Sequence, residues 1–391
     1  MTKGFKRLAA LLAVCTALGA AGCKDNAESG AATGEGTAEA VTSEPVEETA
    51  KVGYIFNGRA DGGGTTEELN SQRLKAVSHS DLFTEYIDNV TISDFEAAVK
   101  TLAEDGCTYI VAASPVYTHA ITSVAGRYMN INFVSMGSHV STANVYAYTE
   151  TPYQAGYVAG LAAAFNSENE KVGVVADIGQ FYCTPFINAV TLGAQLVYEN
   201  ASVVAATADA DDEIREAVDA LVSEGCDVII SYTESPETAE YCNRKGIKFV
   251  GNINYGADAA NYENMLMYYY SSRDSFFLSQ FKQITLDTWL AEEYLGSMGN
   301  GIINLSDALP ASKDGTQELI NALAAKVSGG QAYIFSGELK DNSGSIKYTQ
   351  YDSMTANEIY NMDWYVYGTK VLETFRKPKT DLEINSFEIK E

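Results

Sequence analysis

The chain has 391 residues, of which 46% are hydrophobic and 11% aromatic, enough for two or three domains with sizeable cores. Its 52 acidic and 26 basic residues give a formal net charge of −26, which argues against the basic surfaces that bind nucleic acids or anionic membranes. The three histidines and six cysteines form no CxxC or HxxxH pair, so we expect no metal, no cofactor and no nucleic-acid partner.

The N-terminus has the pattern of a secretory signal. Basic residues precede an apolar segment, 8–21, which is too short to span about 30 Å of hydrocarbon, so residues 1–22 are predicted to be a signal peptide. The sequence Ala-Ala-Gly-Cys resembles a bacterial lipobox, which predicts lipidation of Cys23 and anchoring at the extracytoplasmic face of the cell membrane. Cys15 is a competing acceptor, and an ordinary cleaved signal with a leftover cysteine is the alternative.

Residues 23–50 follow as the lipidated cysteine and an acidic segment. Positions 24–50 carry seven acidic residues and are otherwise mostly Ala, Gly, Thr, Ser and Val. This composition cannot bury enough apolar surface to fold, so we predict a disordered tether. A flexible tether of this length has an r.m.s. reach of about 30 Å, which would hold a folded body away from the membrane.

The remainder of the chain contains an internal repeat. KVGYIF at 51–56 matches KVGVVA at 171–176, at an offset of 120 residues. AVKTLAEDGCTYI at 98–110 matches AVDALVSEGCDVI at 217–229, at an offset of 119. A third match, INFV with IKFV, follows in the same order. The sequence therefore predicts two homologous lobes.

Each repeat is predicted to contain a helix followed by a buried strand. Apolar residues recur at helical spacing, Ser93 with Glu96 predicts a capping box, and Gly106 and Gly225 predict the helix ends. Short apolar strands that alternate with amphipathic helices form parallel sheets with helices on both faces. The predicted fold class is α/β, with two doubly wound parallel-sheet lobes and a ligand cleft between them.

The predicted domain boundaries follow from the repeat. Lobe one covers 51–150, lobe two covers 151–252, and residues 253–391 supply hinge crossings and C-terminal elements shared between the lobes. Gly156 and Gly160 have GxxxG spacing, but the apolar run around them is too short for membrane pairing. We therefore expect them to allow a helix to pack closely on its sheet.

Two cysteines occupy equivalent places in the repeat. Cys107 and Cys226 each precede a predicted strand, where a small buried apolar side chain fits. A disulfide among these two, Cys183 and Cys242 stays open from the sequence alone.

Polar and aromatic residues follow the predicted strands of both lobes, at the edge where parallel sheets bind ligands. The loop after the first strand is rich in glycine but lacks the GK[ST] of a phosphate-binding loop. We predict these ligand-binding residues: Asn57, Asp61, Ser114, Tyr117, Phe181, Tyr182, Glu234, Asn252 and Asn254. Aromatic rings combined with amides and hydroxyls suit a planar, uncharged ligand with polar edges.

Catalytic machinery is not evident. No GxSxG motif occurs, and the sequence places no clear nucleophile or orienting acid with His79, His119 or His139. We therefore predict a binding protein and not an enzyme.

The body of the chain resembles a known family. The resemblance covers about residues 51–377 and lies in these segments: KVGYI, DGGG at 61–64, RYMNINF at 127–133, YQAGYVAG at 153–160, NAVTLGAQ at 188–195, FSGELKDNSG at 335–344 and MDWYV at 362–366. Together with the signal and Cys23, they resemble the basic membrane protein (BMP) lipoproteins. These are substrate-binding components of ABC importers, similar to the purine nucleoside receptors of spirochaetes.

The resemblance implies a type I periplasmic-binding fold, in which two lobes close on a nucleoside-like or other planar polar molecule. It implies a monomer that docks on an ABC permease. A ligand-sensing or adhesive surface lipoprotein without a dedicated permease is an alternative, and so is a receptor for a ring compound that is not a nucleoside.

The family's site carries over only in part. Asp61 matches the acid that follows the first strand in the family. The aromatic residue that usually stacks on the base falls near Gly64 and Thr65, and the acid after the fourth strand falls near Gly137. The stretch that usually holds further acids is Gly-Asn-Ile-Asn-Tyr at 251–255. The candidates to replace the missing stacking wall are Phe181, Tyr182, Tyr117 and Tyr153.

Overall fold

The computed structural model describes residues 50–372, with the exception of 63, 139, 178–181, 209 and 253–258. The predicted signal peptide, Cys23 and the tether up to residue 49 lie outside the described residues, as do Phe181 and Asn254 of the predicted site. Among the helices in the described part of the chain, none has both the length and the apolar character needed to cross a bilayer.

The first part of the body alternates strands and helices. Its elements are β1 (Lys51–Ile55), α1 (Gly64–Val77), β2 (Phe83–Ile87), α2 (Phe95–Glu104), β3 (Tyr109–Ala112), α3 (Thr118–Ala125), β4 (Asn132–Met136) and β5 (Val145–Glu150). A short 3₁₀ helix, Pro115–Tyr117, precedes α3.

The second part repeats this alternation. Its elements are α4 (Pro152–Asn166), β6 (Lys171–Ala176), α5 (Cys183–Gln195), β7 (Ser202–Thr207), α6 (Asp211–Ser223), β8 (Val228–Tyr232), α7 (Glu237–Lys245) and β9 (Lys248–Asn252).

The last part contributes to both lobes. Its elements are a 3₁₀ helix (Ala259–Asn261), β10 (Met265–Ser271), α8 (Asp274–Thr285), β11 (Glu293–Gly296), β12 (Ile303–Leu305), α9 (Thr316–Ser328), β13 (Leu339–Lys340), β14 (Ile346–Tyr348), α10 (Ala356–Tyr360) and β15 (Thr369–Val371).

Each lobe is built on its own sheet. The sheet of lobe one has the order β11–β5–β4–β3–β1–β2, and its strands are parallel. The sheet of lobe two has the order β12–β10–β9–β8–β6–β7–β15, and only β12 is antiparallel to its neighbour. The predicted α/β class with two doubly wound parallel sheets is confirmed.

The internal repeat extends to side-chain packing. Gly53 in β1 and Gly173 in β6 occupy equivalent positions, and each lies under a leucine of the helix that covers the sheet. A methyl group at Gly53 would lie 2.8 Å from the Leu102 side chain, and one at Gly173 would lie 3.2 Å from Leu221 and 2.5 Å from Ile229 of the neighbouring strand. The two leucines are themselves equivalent in the sequence repeat. Glycine therefore allows the same close approach of helix and strand in both lobes.

In the described residues the chain passes between the lobes three times. It leaves lobe one after β5 to form α4, which packs on α5, and returns after β10 to form α8, which packs on α1. It passes again between β11 and β12. The crossings are bonded to one another, because the Thr151 N–H donates to the Gly296 carbonyl over 2.8 Å and the Ser272 N–H donates to the Ile302 carbonyl over 2.8 Å.

The helix ends agree with the sequence prediction better than the starts do. Gly106 and Gly225 follow α2 and α6 with φ of +89° and +91°, the left-handed conformation that glycine adopts most readily. The capping box predicted from Ser93 and Glu96 is not formed, since Asp94 occupies the N-cap position of α2 without a side-chain cap.

The cause of this difference is a long-range ion pair. The carboxylate of Glu96 accepts two hydrogen bonds from Arg127, at 2.8 and 2.7 Å, and so does not turn back to the helix start.

The glycines of the GxxxG segment lie against another helix, although α4 also contacts strands β8 and β10 of the sheet. A methyl group at Gly160 in α4 would lie 2.1 Å from the Val190 carbonyl oxygen of α5. A methyl group at Gly193 in α5 would lie 2.0 Å from the Tyr157 carbonyl oxygen of α4. Close packing was predicted correctly and its partner wrongly, because the partner glycine lies on a helix more than 30 residues away in the sequence.

The cysteines of the body are buried thiols. Cys107, Cys183, Cys226 and Cys242 are all free, so none of them forms a disulfide. Burial raises the pKa of Cys107, Cys226 and Cys242 to about 12, which makes these thiols unreactive. The predicted role of Cys107 and Cys226 as small core residues is confirmed.

Candidate ligand-binding site between the lobes

The carboxyl ends of the two sheets meet across the gap between the lobes. In each sheet the strand order reverses direction beside its first strand, between β1 and β3 in lobe one and between β6 and β8 in lobe two. Ligands of open α/β sheets bind at such points. The hydroxyl of Thr65, at the start of α1, donates to Oε1 of Glu234, which follows β8, over 2.9 Å. This hydrogen bond spans the gap, so the lobes are in a closed arrangement.

The loop after β1 is fixed by its backbone and leaves its side chains exposed. The Ala60 N–H donates to Oδ2 of Asp88 over 3.0 Å, and the Asn70 amide donates to the Ala60 carbonyl over 3.2 Å. Asn57 and Asp61 are exposed on this anchored loop. Asp61 accepts hydrogen bonds from its neighbour Arg59, at 2.9 and 3.1 Å.

The two predicted residues after β3 have structural roles. Ser114 is largely buried, and its hydroxyl accepts a hydrogen bond from the Val116 N–H and so caps the 3₁₀ helix. Tyr117 is fully buried, its ring stacks on Phe95 at a centroid distance of 4.6 Å, and its hydroxyl donates to the Val90 carbonyl over 2.7 Å. The 3₁₀ turn directs this ring into the core of lobe one, so Tyr117 is not at the gap.

Lobe two contributes an aromatic cluster at the end of β8. Tyr232 stacks on Phe186 of α5 with centroids 3.8 Å apart and ring planes 3° apart. Tyr182 meets Tyr232 edge to face at 6.0 Å, and both tyrosines are half-buried. The hydroxyl of Tyr269 donates to the Ser231 carbonyl over 2.5 Å, which anchors the cluster to the strand.

The sequence prediction included Tyr182 from this cluster and omitted Tyr232 and Phe186. The i, i+4 spacing of Tyr182 and Phe186 is a signal that could have found the second ring. Tyr153, a candidate stacking residue, instead packs on Phe335 of the C-terminal part at 5.5 Å. Asn252 ends β9, half-buried, beside β10.

The back of the gap is closed by a buried charge network at the crossings. Arg273 donates to both carboxylate oxygens of Glu150, at 2.5 and 3.0 Å, and to Oε1 of Glu68 in α1 at 3.0 Å. Glu150 also accepts from the Tyr148 hydroxyl at 2.6 Å and from the Ser271 hydroxyl at 2.8 Å. Sequence reasoning missed this network, because its residues come from three distant parts of the chain.

The groups around the gap are those of a binding site. The described residues there offer exposed amides, hydroxyls, aromatic rings and a small number of carboxylates. Within the described ranges, no group of three or more His, Cys, Asp or Glu side chains could hold a metal ion.

Comparison with known proteins agrees with this geometry. Residues 49–238 match the Bmp family, described as ABC transporter substrate-binding protein PnrA-like. A purine-binding protein of Brucella abortus is 24% identical over 329 residues, covering 82% of this chain and 93% of the relative. A putative ABC transporter glucose-binding protein of Haloferax volcanii is 25% identical over 261 residues, 66% of each chain.

Solved structures show the same fold. A solute-binding protein of an ABC transporter system from Conexibacter woesei superposes with a TM-score of 0.61 at 17% identity, over 73% of this chain and 98% of its own. A transcriptional activator of the comK gene from Bacillus halodurans superposes with a TM-score of 0.63 at 19% identity, over 72% of this chain and 99% of its own. At these identities the likeness shows the fold alone.

Proposed function

Because residues 49–238 match the Bmp family of ABC transporter substrate-binding proteins, which are not enzymes, we propose that the chain captures a nucleoside-like or other planar, polar small molecule and delivers it to a permease. The family match supports a location outside the cytoplasm, a small-molecule ligand and a permease partner. The chemical class of the ligand is the new element of the proposal.

The main support for the ligand class is the pair of stacked rings at the end of β8, beside the point where the strand order of lobe two reverses. Phe186 lies behind Tyr232 at 3.8 Å and holds that ring in a fixed plane. A fixed aromatic face favours a flat ring over a flexible chain, and a well-oriented stack contributes about 0.5–1.5 kcal/mol beyond the area that it buries. We therefore assign the stacking wall to Tyr232, with Tyr182 at its edge.

In the proposed complex, polar groups on both lobes form hydrogen bonds with the ligand. Asn57 and Asp61 are exposed on the loop after β1, and Asn252 lies at the end of β9. Amides both donate and accept, as do the ring nitrogens and exocyclic groups of a nucleobase. Glu234 is bonded to Thr65 across the gap, so we assign it first to lobe closure and second to ligand contact.

Ligand binding favours closure of the lobes through a difference in affinity between the closed and open forms. A ligand that touches both lobes binds the closed form more tightly than the open form, and it shifts the population by that difference in affinity. The three crossings allow the lobes to move as units about the network of Arg273.

The relatives' names support a ring ligand and define the competing class. The Brucella relative is named for purine binding, and the Haloferax relative is named for glucose binding. A purine has two flat faces for a tyrosine wall, whereas a hexose offers axial C–H groups and many hydroxyls. The aromatic cluster favours the purine class.

The test is to identify what the protein carries and then measure its binding. Mass spectrometry of small molecules released from purified protein lacking residues 1–23 should reveal a nucleobase, a nucleoside or a related ring. Calorimetry with guanosine, hypoxanthine and glucose should then show binding of a purine compound and none of glucose. Tight binding of glucose alone would overturn the ligand class.

We also propose that the mature protein is anchored through a lipid on Cys23. The support is the lipobox and the acidic segment that follows it. We expect cells to incorporate radioactive palmitate into the wild-type protein and into Cys15→Ser, but not into Cys23→Ser. Retained label in Cys23→Ser would refute the anchor.

A further experiment separates an importer receptor from a sensing or adhesive lipoprotein. For an importer receptor, deletion of a neighbouring permease gene should stop uptake of the ligand, whereas for a sensing or adhesive lipoprotein it should not.

A further inference from the structure

We propose that Glu68 makes the closure of the lobes sensitive to pH, because the closed receptor holds this carboxyl as the neutral acid and opening releases its proton to water. The inference rests on the lobe closure of the proposed function, and it adds a regulatory role for a carboxyl that the proposed ligand contacts do not include.

The first support is the environment of the carboxyl. Oε1 of Glu68 accepts from the Gln72 amide at 2.8 Å and from Arg273 at 3.0 Å. Oε2 is buried and has no hydrogen-bond partner among the described residues. An ionised oxygen without a partner is costly in a protein interior, whereas a neutral carboxyl loses far less.

The second support is the balance of charge around it. Arg273 is one cation shared by two largely buried carboxyl groups, those of Glu68 and Glu150. Glu150 already has both of its oxygens bonded to Arg273, and it accepts further bonds from Tyr148 and Ser271. The network therefore satisfies Glu150 as an anion and leaves Glu68 as the carboxyl that can be neutral.

The other charged and titratable groups near Glu68 do not supply a second cation. Tyr54 of β1 has a buried hydroxyl without a partner in the described part of the chain. Arg73 of the same helix bonds to Asn70 and Thr84. At the start of α8, Asp274 is paired with Lys75. Burial raises the pKa of Glu68 to about 7; Arg273 opposes this rise and Glu150 adds to it.

A proton on Glu68 has a ready acceptor. The carbonyl oxygen of Gln72 is also buried without a partner among the described residues. Rotating this amide by half a turn places its oxygen where its nitrogen lies, 2.8 Å from Oε1 of Glu68. The amide oxygen and nitrogen are similar in size, so the turned amide can accept a hydrogen bond from the protonated carboxyl.

The link to closure is the face of α1 on which Glu68 lies. Thr65 precedes Glu68 by three residues, so the two side chains share one helix face. Thr65 bonds to Glu234 of lobe two, which shows that this face meets lobe two in the closed form. Opening the lobes removes lobe two from the face and admits water, which returns the carboxyl toward its ordinary pKa of about 4.3.

The sign of the effect follows from linkage. The pKa of Glu68 is higher in the closed form than in the open form, so protons favour closure, and this contribution is lost as pH rises through about 7. With closed and open pKa values of about 7 and about 4.3, the ratio of closed to open receptor is about tenfold larger at pH 6 than at pH 8.

The test measures closure without any ligand, so its failure is distinguishable from failure of the proposed ligand class. In the full chain, His119 of α3 and Glu240 of α7 are each replaced by an amino acid with a keto side chain, and a spin label is attached to each keto group. Both positions are exposed, one in each lobe. Double electron–electron resonance then gives the populations of short and long distances between pH 5.5 and 8.5. The expected result is a roughly tenfold rise in the short-distance ratio from pH 8 to pH 6, which begins near pH 7 and continues as the pH falls to 5.5.

Variants assign the effect to one carboxyl. Glu68→Gln should show the same distances at every pH, whereas Glu67→Gln, its exposed neighbour on α1, should keep the wild-type titration. His79→Gln should also keep it, which separates Glu68 from a histidine. An unchanged distance distribution in the wild type, or a wild-type titration in Glu68→Gln, overturns the proposal. If Glu68→Gln does not fold, the carbon-13 chemical shift of the Glu68 carboxyl is followed against pH in the wild type. The proposal requires a midpoint near pH 7, and a midpoint near pH 4 would contradict the proposal.

Discussion

In lobe one the residue directly after β3 is Ala113, which is buried, whereas the equivalent position in the sequence repeat of lobe two is Tyr232, the last residue of β8. The surrounding scaffold is nevertheless the same, with Gly53 and Gly173 under equivalent leucines. Duplication has therefore kept the packing of helix on sheet and changed the residues at the gap. Lobe one presents an exposed polar loop, and lobe two presents an aromatic cluster, so under the proposed function the two lobes contribute different contacts to one ligand.

The largest expected effect lies in the crossings, which belong to neither lobe alone. Arg273→Met leaves the largely buried carboxylate of Glu150 without its cation, so it should destabilise the protein by about 3–5 kcal/mol. Chemical denaturation followed by circular dichroism measures this. Arg127→Met, which removes an exposed ion pair with Glu96, is the matched control and should cost far less. Equal effects of the two variants would mean that the network does not stabilise the hinge.

The shared scaffold predicts matched losses in the two lobes. Gly53→Val and Gly173→Val each force a side chain into the space of a leucine, so each should cost about 1–3 kcal/mol through overpacking. Thermal denaturation of the two variants measures the losses side by side. A loss in one variant and none in the other would show that the two lobes pack differently despite their sequence repeat.

Because only lobe two has an aromatic cluster at the gap, removing a stacking ring from lobe two should lower the affinity for the ligand. Tyr232→Ala removes the stacking ring and should weaken binding of the co-purified ring compound by about 1–2 kcal/mol, measured by calorimetry. Tyr351→Ala, an exposed tyrosine in the C-terminal part, is the control and should bind like the wild type. Equal affinity in wild type and Tyr232→Ala would remove the stacking wall from the site.

The smallest effect is expected from the aromatic residue of lobe one. Tyr117→Phe keeps the ring on Phe95 and removes the hydrogen bond to the Val90 carbonyl, so stability should fall by about 0.5–1.5 kcal/mol. Ligand affinity should stay the same, because the ring is in the core. A selective loss of affinity with unchanged stability would instead place Tyr117 at the gap.

The sequence was sufficient for the scaffold, because the scaffold follows from local rules. Alternating apolar strands and amphipathic helices predict the two parallel sheets, and the glycines at 106 and 225 predict the helix ends through their left-handed conformation. The repeat also predicted which strand ends face the gap, and the bond between Thr65 and Glu234 joins two of those loops.

The rest could not be predicted, since it depends on contacts between distant residues. Glu96 bonds to Arg127 and not to its own helix start. The direction of Tyr117 depends on a three-residue turn, and nothing local distinguishes a ring that enters the core from one that faces solvent. Glu68, Glu150 and Arg273 come from three separate regions of the sequence, so no motif reveals the network that they form.

The central claim is that one small molecule is held between the lobes by residues of both. Hydrogen–deuterium exchange with and without the co-purified compound tests it most directly. We predict slower exchange in peptides covering residues 57–66 of lobe one and in peptides covering residues 228–238 of lobe two. Protection in one lobe only, or protection confined to the surface groove around Gln195, Ser202 and Tyr367, would contradict it.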